Sequence, residues 1–410
     1  MPRLLSLLCA INLAVGELAP LLATAQPTAR TTLYVEETIG IRRFFYPVDA
    51  RVPFAQGSLY DASTVRLLRG GAELPAMFTP IERWDDGSVQ WLAVNFNVSI
   101  GPLESVTFQV EYGPSVRSVA EARRGLTLSD EGDALQVGQI RLGKNGDPLL
   151  QSVGFNGENI GVGINGLRVY NHDQDAFGID TTSVAVEVLR EGAQYVEVHY
   201  AGRFVIGPGG ELPFEMTIGM PNSKSWFKAS IFVEDPDDRI GGVSFDTPLS
   251  VGSELPFVWD FGTERWTYGS LRNQDDAVRL SMVVEANDER AWLVETRRDG
   301  AWQSYEESGE QSQVMGWGHV QAERVVAFAM QAPHREGEYQ RITVDGRGQL
   351  SMMVPASDVR RHELTAYHHY VGVPVQIGAA TSPMSMLNPL VTRCDEARYI
   401  ASGVEPPNAR

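Results

Sequence analysis

Short segments in which hydrophobic and polar residues alternate follow one another along most of the chain. Residues 105–112, Ser-Val-Thr-Phe-Gln-Val-Glu-Tyr, alternate with a period of two, which predicts a half-buried β-strand. Similar segments, separated by turns rich in Gly and Pro, occur near residues 64–68, 89–96, 184–190, 195–200, 214–220, 226–233, 325–330, 339–344 and 350–354. Because no alternation of strands with helices appears, the sequence predicts an all-β protein with antiparallel sheets.

The spacing of these segments predicts two domains. Five or six short strands within residues 30–120, including a hairpin around the turn Asp85-Asp86-Gly87-Ser88, predict a small β-barrel. The longer series within residues 121–404 predicts a larger antiparallel β-sandwich. Residues 395–400 are compatible with one short helix, and residues 405–410 form a polar tail.

The first 25 residues have the features of an export signal. Arg3 precedes an apolar stretch, and Ala23-Thr24-Ala25 is a small-x-small cleavage site before Gln26. Gly, Glu and Pro within residues 16–20 interrupt the apolar run, which argues against a membrane-spanning helix. We therefore predict a secreted or periplasmic protein with no membrane span.

Composition and charge narrow the range of partners. The chain has 40 Gly and only 21% charged residues, which suits turn-rich β-structure. Its formal net charge is −18, and no run is rich in Lys or Arg, so the sequence argues against nucleic acid as a partner. An anionic polymer would also be repelled unless a local basic patch or a bound cation reversed the field. No Gly-x-Ser-x-Gly, phosphate-binding Gly loop or His-Glu-x-x-His motif is present.

Two tryptophans flank the predicted hairpin turn. Trp84 and Trp91 are candidates for an aromatic platform that binds a sugar ring. The alternative, which the sequence favours, is a pair of cross-strand aromatic residues that stabilise the hairpin.

A second candidate is the segment Gly316-Trp317-Gly318-His319. Glycine permits close approach of a ligand, and histidine can transfer protons near neutral pH. A strand start with a packed tryptophan is the alternative. Two oxygen-rich loops, residues 171–175 and 235–238, leave calcium binding open, although neither has the spacing of a known calcium loop. No metal ligand is assigned.

A third candidate is the segment that runs from Arg361 to His369. On a strand, Arg361, Glu363, Tyr367 and His369 share one face, whereas His362 lies on the other. These residues therefore cannot all line one cleft unless the strand contains a bulge.

Several short pieces of the sequence resemble the exo-rhamnogalacturonan lyase-like proteins, including the bacterial YetA-like group. The pieces that resemble their N-terminal barrel are Gly40–Arg43, Pro47-Val48, Arg51-Val52-Pro53-Phe54 with Gly57, and Trp84–Trp91. Those that resemble their central sandwich are Gly316–Gly318, Val344–Gly346, Arg361–Leu364, Asn388–Leu390 and Tyr399–Gly403. The resemblance implies a barrel of the RIFT type followed by a β-sandwich. The family's helical α/α toroid has no counterpart in these residues, and Arg360-Arg361 stands where the family usually has Lys-Thr.

The resemblance implies a function associated with carbohydrate. Because a toroid would form much of a lyase cleft, we expect a non-catalytic or accessory protein that binds a polysaccharide or oligosaccharide, with Trp84, Trp91, Trp317, Glu363 and His369 as candidate contacts. An active polysaccharide lyase is the alternative, in which Arg361 would contact the uronate carboxylate, His319 or His362 would move protons, and Tyr367 would assist. A structural β-module that binds a partner protein is the third hypothesis.

Overall fold

The computed structural model describes residues 28–405, apart from residues 156–157, 162–164, 208–209, 223, 225, 264–265, 283–290, 308–315, 332–339, 356–360 and 372–380. For residues 155, 158–161, 361–364, 366–371 and 381–382 it describes the backbone but not the side chains. The predicted signal peptide lies outside the described residues. The described part is almost wholly β-structure, which confirms the all-β prediction.

Two sheets enclose the core of the first domain. Its strands are β1 (Ala29–Glu36), β2 (Arg43–Pro53), β3 (Val65–Arg69), β4 (Ala72–Leu74), β5 (Ala76–Arg83), β6 (Val89–Ile100) and β7 (Ser105–Tyr112), with a 3-10 turn at Ala62–Thr64. One sheet contains β1, β7, β3 and β4, and the other has the order β2-β6-β5. The alternating residues of β7 place Phe108 in the core, where its ring meets that of Phe96 from the opposite sheet at 4.9 Å.

The predicted Asp-Gly hairpin joins β5 to β6. Gly87 adopts a φ of +81°, a conformation that glycine accepts at little cost. Asp86 stabilises the turn, because its carboxylate accepts hydrogen bonds from the backbone N–H and the hydroxyl of Ser88.

The second domain is a sandwich of two large sheets. The segment that leads into it forms a small sheet of β8 (Leu128–Asp130), β9 (Ala134–Val137), β10 (Ile140–Gly143), β11 (Leu150–Phe155) and β12 (Glu158–Gly161). The sandwich strands are β13 (Gly166–Asn171), β14 (Ala176–Gly178), β15 (Ala185–Arg190), β16 (Tyr195–Val205), β17 (Glu211–Pro221), β18 (Trp226–Glu234), β19 (Ile240–Pro248), β20 (Phe257–Phe261), β21 (Thr267–Leu271), β22 (Ala277–Met282), β23 (Trp292–Arg298), β24 (Ala301–Glu307), β25 (Trp317–Gln321), β26 (Val325–Gln331), β27 (Gln340–Asp345), β28 (Gln349–Pro355) and β29 (Arg361–Val371).

The two sandwich sheets differ in order but share one core. The first has the order β14-β13-β19-β28-β27-β22-β23-β24, and the second has the order β15-β16-β17-β18-β29-β26-β25-β20-β21. Phe245 of the first and Phe227 of the second meet with ring centroids 6.3 Å apart. Both side chains are fully buried, as sandwich packing requires.

The chain returns to the first domain after the sandwich. This segment forms α1 (Thr381–Leu387), β30 (Val391–Cys394) and α2 (Glu396–Ser402). β30 pairs with the free edge of β1, with Leu33 opposite Cys394, and Cys394 and Tyr399 join the core of the first domain. The prediction that residues 121–404 form the sandwich is therefore wrong at its end, because the exposed hydrogen-bonding edge of β1 pairs with this later strand.

The helix predicted at residues 395–400 is confirmed as α2. It ends at Gly403, which has a φ of 67° and supplies the left-handed cap that ends many helices. Both α-helices in the described part of the chain have seven residues, far fewer than a bilayer crossing needs.

Acid should destabilise the first domain through Glu111. This carboxylate is 2% exposed and contacts Arg30 and Arg66. Although burial opposes the charge of Glu111, hydrogen bonds from the two arginines hold its pKa below the ordinary value. Its stabilising effect is therefore complete above the ordinary carboxyl pKa and is lost as the pH falls through the lowered value. We expect the urea midpoint of the wild type to fall more steeply than that of Glu111→Gln when the pH is lowered from 6 to 3, and parallel curves would contradict this role.

Candidate functional site

A pocket of about 350 Å³ lies where the first domain meets the nine-stranded sheet. We call it the interdomain cleft. One wall comes from β2, and the other comes from β16, β17 and β18. Met386, Pro389 and Leu390, from the segment that returns to the first domain, complete the lining. The cleft is thus built from parts of the chain that are far apart in sequence.

Arg190 fixes the polar wall of the cleft. Its guanidinium donates to both carboxylate oxygens of Asp49, at 3.0 and 3.1 Å, and to Glu197 at 2.6 Å. The Arg190 side chain is 8% exposed. Although burial opposes its charge, hydrogen bonds to Glu197 and Asp49 raise the pKa of Arg190. Arg190 therefore remains a cation that joins the first domain to the sandwich.

The same guanidinium positions an aromatic ring of the cleft. It lies 4.2 Å from the ring centroid of Tyr195, a cation–π contact. The Tyr195 hydroxyl occupies the place that a side chain at Gly219 would fill. Glycine at position 219 is thus required for this placement of the Tyr195 ring.

Two further cations line the cleft. Lys228 reaches solvent, but it lies in a concave site where surrounding protein atoms lower the pKa of its amine. The charges of Asp49 and Glu197 oppose this shift, and the charge of Arg51 adds to it. Arg51 is exposed and has no ion-pair partner among the described residues. Its five donors match the geometry of a carboxylate.

Aromatic rings form the apolar part of the cleft. The rings of Tyr46 and Trp226 pack edge to face with centroids 5.7 Å apart. The Tyr46 hydroxyl donates to the carbonyl of Ser385 at 2.6 Å, which fixes its ring. A cleft with apolar ring surfaces and a few directed polar groups is the usual form of a small-ligand site.

The strand β29 passes beside this cleft. Its backbone pairs Tyr367 with Lys228, and His369 with Trp226, without a register shift. Arg361 pairs with Glu234, and Glu363 with Phe232, at the other end of the strand. The side chains of Arg361, Glu363, Tyr367 and His369 lie outside the described residues, so their predicted roles stay predictions.

His362 occupies a position of β29 that alternates with those of Arg361 and Glu363. Its backbone pairs with that of Val233, which is fully buried in the sandwich core. The side chain of His362 also lies outside the part that the structure describes.

His319 and Trp317 lie two strands away from β29. His319 is 6% exposed, and its Nδ1 lies 2.9 Å from Oδ1 of Asp260, which also accepts from the His319 backbone N–H. Trp317 is fully buried and packs against Trp266, with ring centroids 6.0 Å apart. The alternative interpretation of a packed tryptophan describes Trp317 better than a sugar-stacking role.

Trp84 and Trp91 do not line the interdomain cleft. The indole N–H of Trp84 donates to the carbonyl of Phe54 at 2.9 Å. Trp91 pairs with Glu82 rather than with Trp84, and its ring lies 6.4 Å from that of Tyr399. Both residues therefore stabilise the first domain, but not as a directly opposed pair.

The two oxygen-rich loops lie next to each other. His172 Nε2 is 2.9 Å from the carbonyl oxygen of Asp238. The buried carboxylate of Asp235 accepts from the backbone N–H groups of Arg239 and Ile240, so it stabilises its own loop. Within the described residues, no group of three or more His, Cys, Asp or Glu residues is arranged to hold a metal ion.

Sequence reasoning missed Asp49, Arg51, Lys228, Tyr195 and Trp226. Each occupies an ordinary strand position, and the residues are brought together only by contact between the domains. A weak signal was present in the strand 226–234, where Trp226 and Lys228 alternate with the buried residues Phe227 and Ala229. An aromatic and a basic residue at positions i and i+2 share one face of a strand.

Comparisons with known proteins show the fold but not the family. No family model matches the chain, and no curated protein matches it significantly. Among solved structures, it is similar to a protein in glycosyl hydrolase family 38 from Enterococcus faecalis, with 9% identity and a TM-score of 0.54 over 89% of this chain and 47% of that one. It is also similar to an alpha-mannosidase from the same organism, with 10% identity and a TM-score of 0.52 over 89% of this chain and 46% of that one.

At 9–10% identity, the similarity shows a shared fold over the matched part of each chain. The chain spans about half the length of both of these proteins.

Proposed function

We propose that this protein is an exported, carbohydrate-associated binding protein that holds an acidic oligosaccharide in the interdomain cleft. The observation that carries the proposal is the combination of aromatic rings with two cations, Arg51 and Lys228, in one concave site. Aromatic rings stack on the apolar faces of sugars, and a guanidinium binds a carboxylate through paired hydrogen bonds.

The charges of the cleft favour an acidic sugar over a neutral one. Asp49 already accepts two hydrogen bonds from Arg190, which offsets its charge. Arg190 also pairs with Glu197, so the three cations Arg51, Arg190 and Lys228 face the two carboxylates Asp49 and Glu197. This part of the protein therefore has a local excess of positive charge, although the whole chain carries −18. Such a local field is what an anionic ligand requires to approach an acidic protein.

Two further observations support a carbohydrate ligand. The two similar structures are those of a protein in glycosyl hydrolase family 38 and of an alpha-mannosidase. The sequence resemblance to exo-rhamnogalacturonan lyase-like proteins implies a uronate-containing polymer such as rhamnogalacturonan, and its implied architecture is a RIFT-type barrel with a β-sandwich. We propose the non-catalytic or accessory role as the leading function.

Titration with a panel of oligosaccharides tests this function. Because Trp226 lines the cleft, we expect uronate-containing oligosaccharides to change the intrinsic tryptophan fluorescence in a saturable manner. Trp226→Phe should remove most of that change and retain binding measured by calorimetry. A flat response across acidic and neutral glycans in both measurements would remove the carbohydrate function.

Lyase activity is the second candidate, and Lys228 is the observation that favours it. An amine whose pKa is lowered by its surroundings can accept a proton nearer neutral pH. In β-elimination, a base removes the C5 proton of a uronate, the electron pair forms the C4–C5 double bond, and the O4 leaving group departs with a proton from an acid. Arg51 would stabilise the carboxylate while charge develops on it.

An absorbance assay separates the two candidates. Lyase activity would produce a steady rise in the unsaturated-uronate band on rhamnogalacturonan, measured with and without calcium, and Lys228→Met would abolish it. A rise that depends on His319 instead would favour the proton-transfer role predicted for that residue. The accessory function predicts a flat trace together with saturable binding.

The proposal of export rests on the signal-like residues 3–25. Mass spectrometry of the exported product should find a mature N-terminus at Gln26. An exported product that retains Met1 would contradict it.

A further inference from the structure

A bulge in β2 exposes two neighbouring aromatic side chains at one end of the interdomain cleft. The pairing of β2 with β6 shifts between Arg43 and Tyr46. At this point Phe44 is 72% exposed and Phe45 is 56% exposed. Their rings meet edge to face with centroids 5.5 Å apart. Bulges commonly redirect side chains next to functional sites.

The backbone at this bulge is strained. Phe45 has a φ of +43°, a left-handed conformation that is rare for a bulky residue. The backbone N–H of Phe45 donates to the Ser99 hydroxyl at 3.1 Å, which helps to hold the conformation. Strained residues that expose large apolar groups are more common at functional sites than elsewhere.

The exposed pair is continuous with the cleft. Tyr46, the next residue of β2, lines the cleft and contacts Trp226. Lys224 donates from its Nζ to the carbonyl of Phe44 at 3.2 Å. Lys224 lies between Pro221 and Trp226 in sequence, and both of those residues line the cleft. The bulge and Lys224 therefore form one rim.

The volume of the cleft limits the length of ligand that it can enclose. About 350 Å³ is near the lower end of the range of ~300–1,000 Å³ for small-ligand pockets. A short oligosaccharide fits within such a volume, whereas a longer chain must leave the cleft across its rim. We propose that Phe44 and Phe45 form an outer subsite that stacks against the sugar residues of such a chain beyond the cleft. This inference rests on the proposed carbohydrate-binding function.

A length series of acidic oligosaccharides tests the outer subsite. The variant is Phe44→Ser combined with Phe45→Asn, since asparagine tolerates the left-handed conformation. Calorimetry should show that the variant loses about tenfold in affinity for a hexasaccharide, the effect of two lost ring contacts. Its affinity for a disaccharide should stay within twofold of the wild type. The matched control is Tyr268→Ser, which removes an aromatic side chain that is 63% exposed on the sandwich and should change neither affinity.

The outcomes separate this inference from the function on which it rests. If the wild type binds neither sugar, the carbohydrate function fails. If the wild type binds both sugars and the double variant binds the hexasaccharide equally well, the outer subsite is wrong. The other candidate occupant of this apolar patch is a second copy of the chain. Sedimentation velocity of the wild type and the double variant tests for such a dimer. A wild-type dimer that the double variant dissociates, with the hexasaccharide affinity unchanged, would also overturn the proposal.

Discussion

Replacing Arg51 with glutamine should weaken the binding of an acidic oligosaccharide by about ten- to a hundredfold. A hydrogen bond to a charged group contributes ~1.5–3 kcal/mol, and each ~1.4 kcal/mol corresponds to a factor of ten in affinity. Arg51 is exposed and has no ion pair among the described residues. The substitution should therefore leave the stability of the fold nearly unchanged, and the loss should appear in binding alone.

A second arginine provides the matched control for this experiment. Arg123 is exposed in the segment between the domains and does not line the cleft, and Arg123→Gln makes the same change in net charge. We expect Arg123→Gln to bind the acidic oligosaccharide as tightly as the wild type. Equal affinities for Arg51→Gln and Arg123→Gln would show that Arg51 makes no contact with the ligand.

Replacing Arg190 with alanine should lower the free energy of unfolding by about 3 kcal/mol. Removing one partner of a buried ion pair costs ~3–5 kcal/mol, and the lower end applies because the Asp49 side chain is 42% exposed. The substitution leaves Glu197, which is 18% exposed, without its cation. It also removes the two hydrogen bonds that join Asp49 of the first domain to the sandwich.

A surface arginine on the same sheet provides the comparison. Arg203 is 45% exposed and contacts Asp180, and such exposed pairs contribute ~0–1 kcal/mol. Urea unfolding of Arg190→Ala and Arg203→Ala should therefore differ by about 2 kcal/mol or more. A loss below about 1 kcal/mol for Arg190→Ala would contradict the role of Arg190 in joining the domains.

The loss of Arg190 should also affect the ligand site. Tyr195 loses the guanidinium that lies over its ring, and Asp49 regains its full negative charge next to Arg51 and Lys228. We expect weaker binding of acidic oligosaccharides in addition to the loss of stability. Neutral oligosaccharides should be less affected, because they do not respond to the charge of Asp49.

The local pattern of the sequence was sufficient to predict much of the fold. The alternation at residues 105–112 corresponds to a strand with the same bounds. The Asp-Gly turn before Ser88 forms the predicted hairpin, because glycine and aspartate determine the turn locally. These features depend on neighbouring residues, and they could be predicted without knowledge of distant contacts.

Features that depend on distant contacts could not be predicted in this way. The four residues of β30 carry little signal of their own, and their pairing with β1 joins residues about 360 positions apart. The interdomain cleft has the same origin, because Arg51 and Lys228 become neighbours only after both domains have packed together. Lys228 and Trp226 occupy the solvent-side positions of a regular strand, where a basic or aromatic residue usually needs no functional explanation.

The catalytic candidates illustrate the difference between features that depend on neighbouring residues and features that depend on distant contacts. His319 was selected for its glycine-rich surroundings, and the structure pairs it with Asp260 in a buried position. The candidates on β29 were chosen for their side-chain chemistry, and the backbone register of the strand pairs Tyr367 with Lys228 and His369 with Trp226. The sequence could not indicate which other strands lie next to β29.

The most direct test of the acidic-sugar cleft compares one oligosaccharide in two chemical forms. A uronate oligosaccharide and its carboxyl-reduced counterpart differ only in the group that Arg51 is proposed to bind. Isothermal titration of the wild type should show at least about tenfold tighter binding of the uronate form, and Arg51→Gln should remove most of that difference. Equal binding of the two forms by the wild type, or a difference that persists in Arg51→Gln, would contradict the assignment of this cleft.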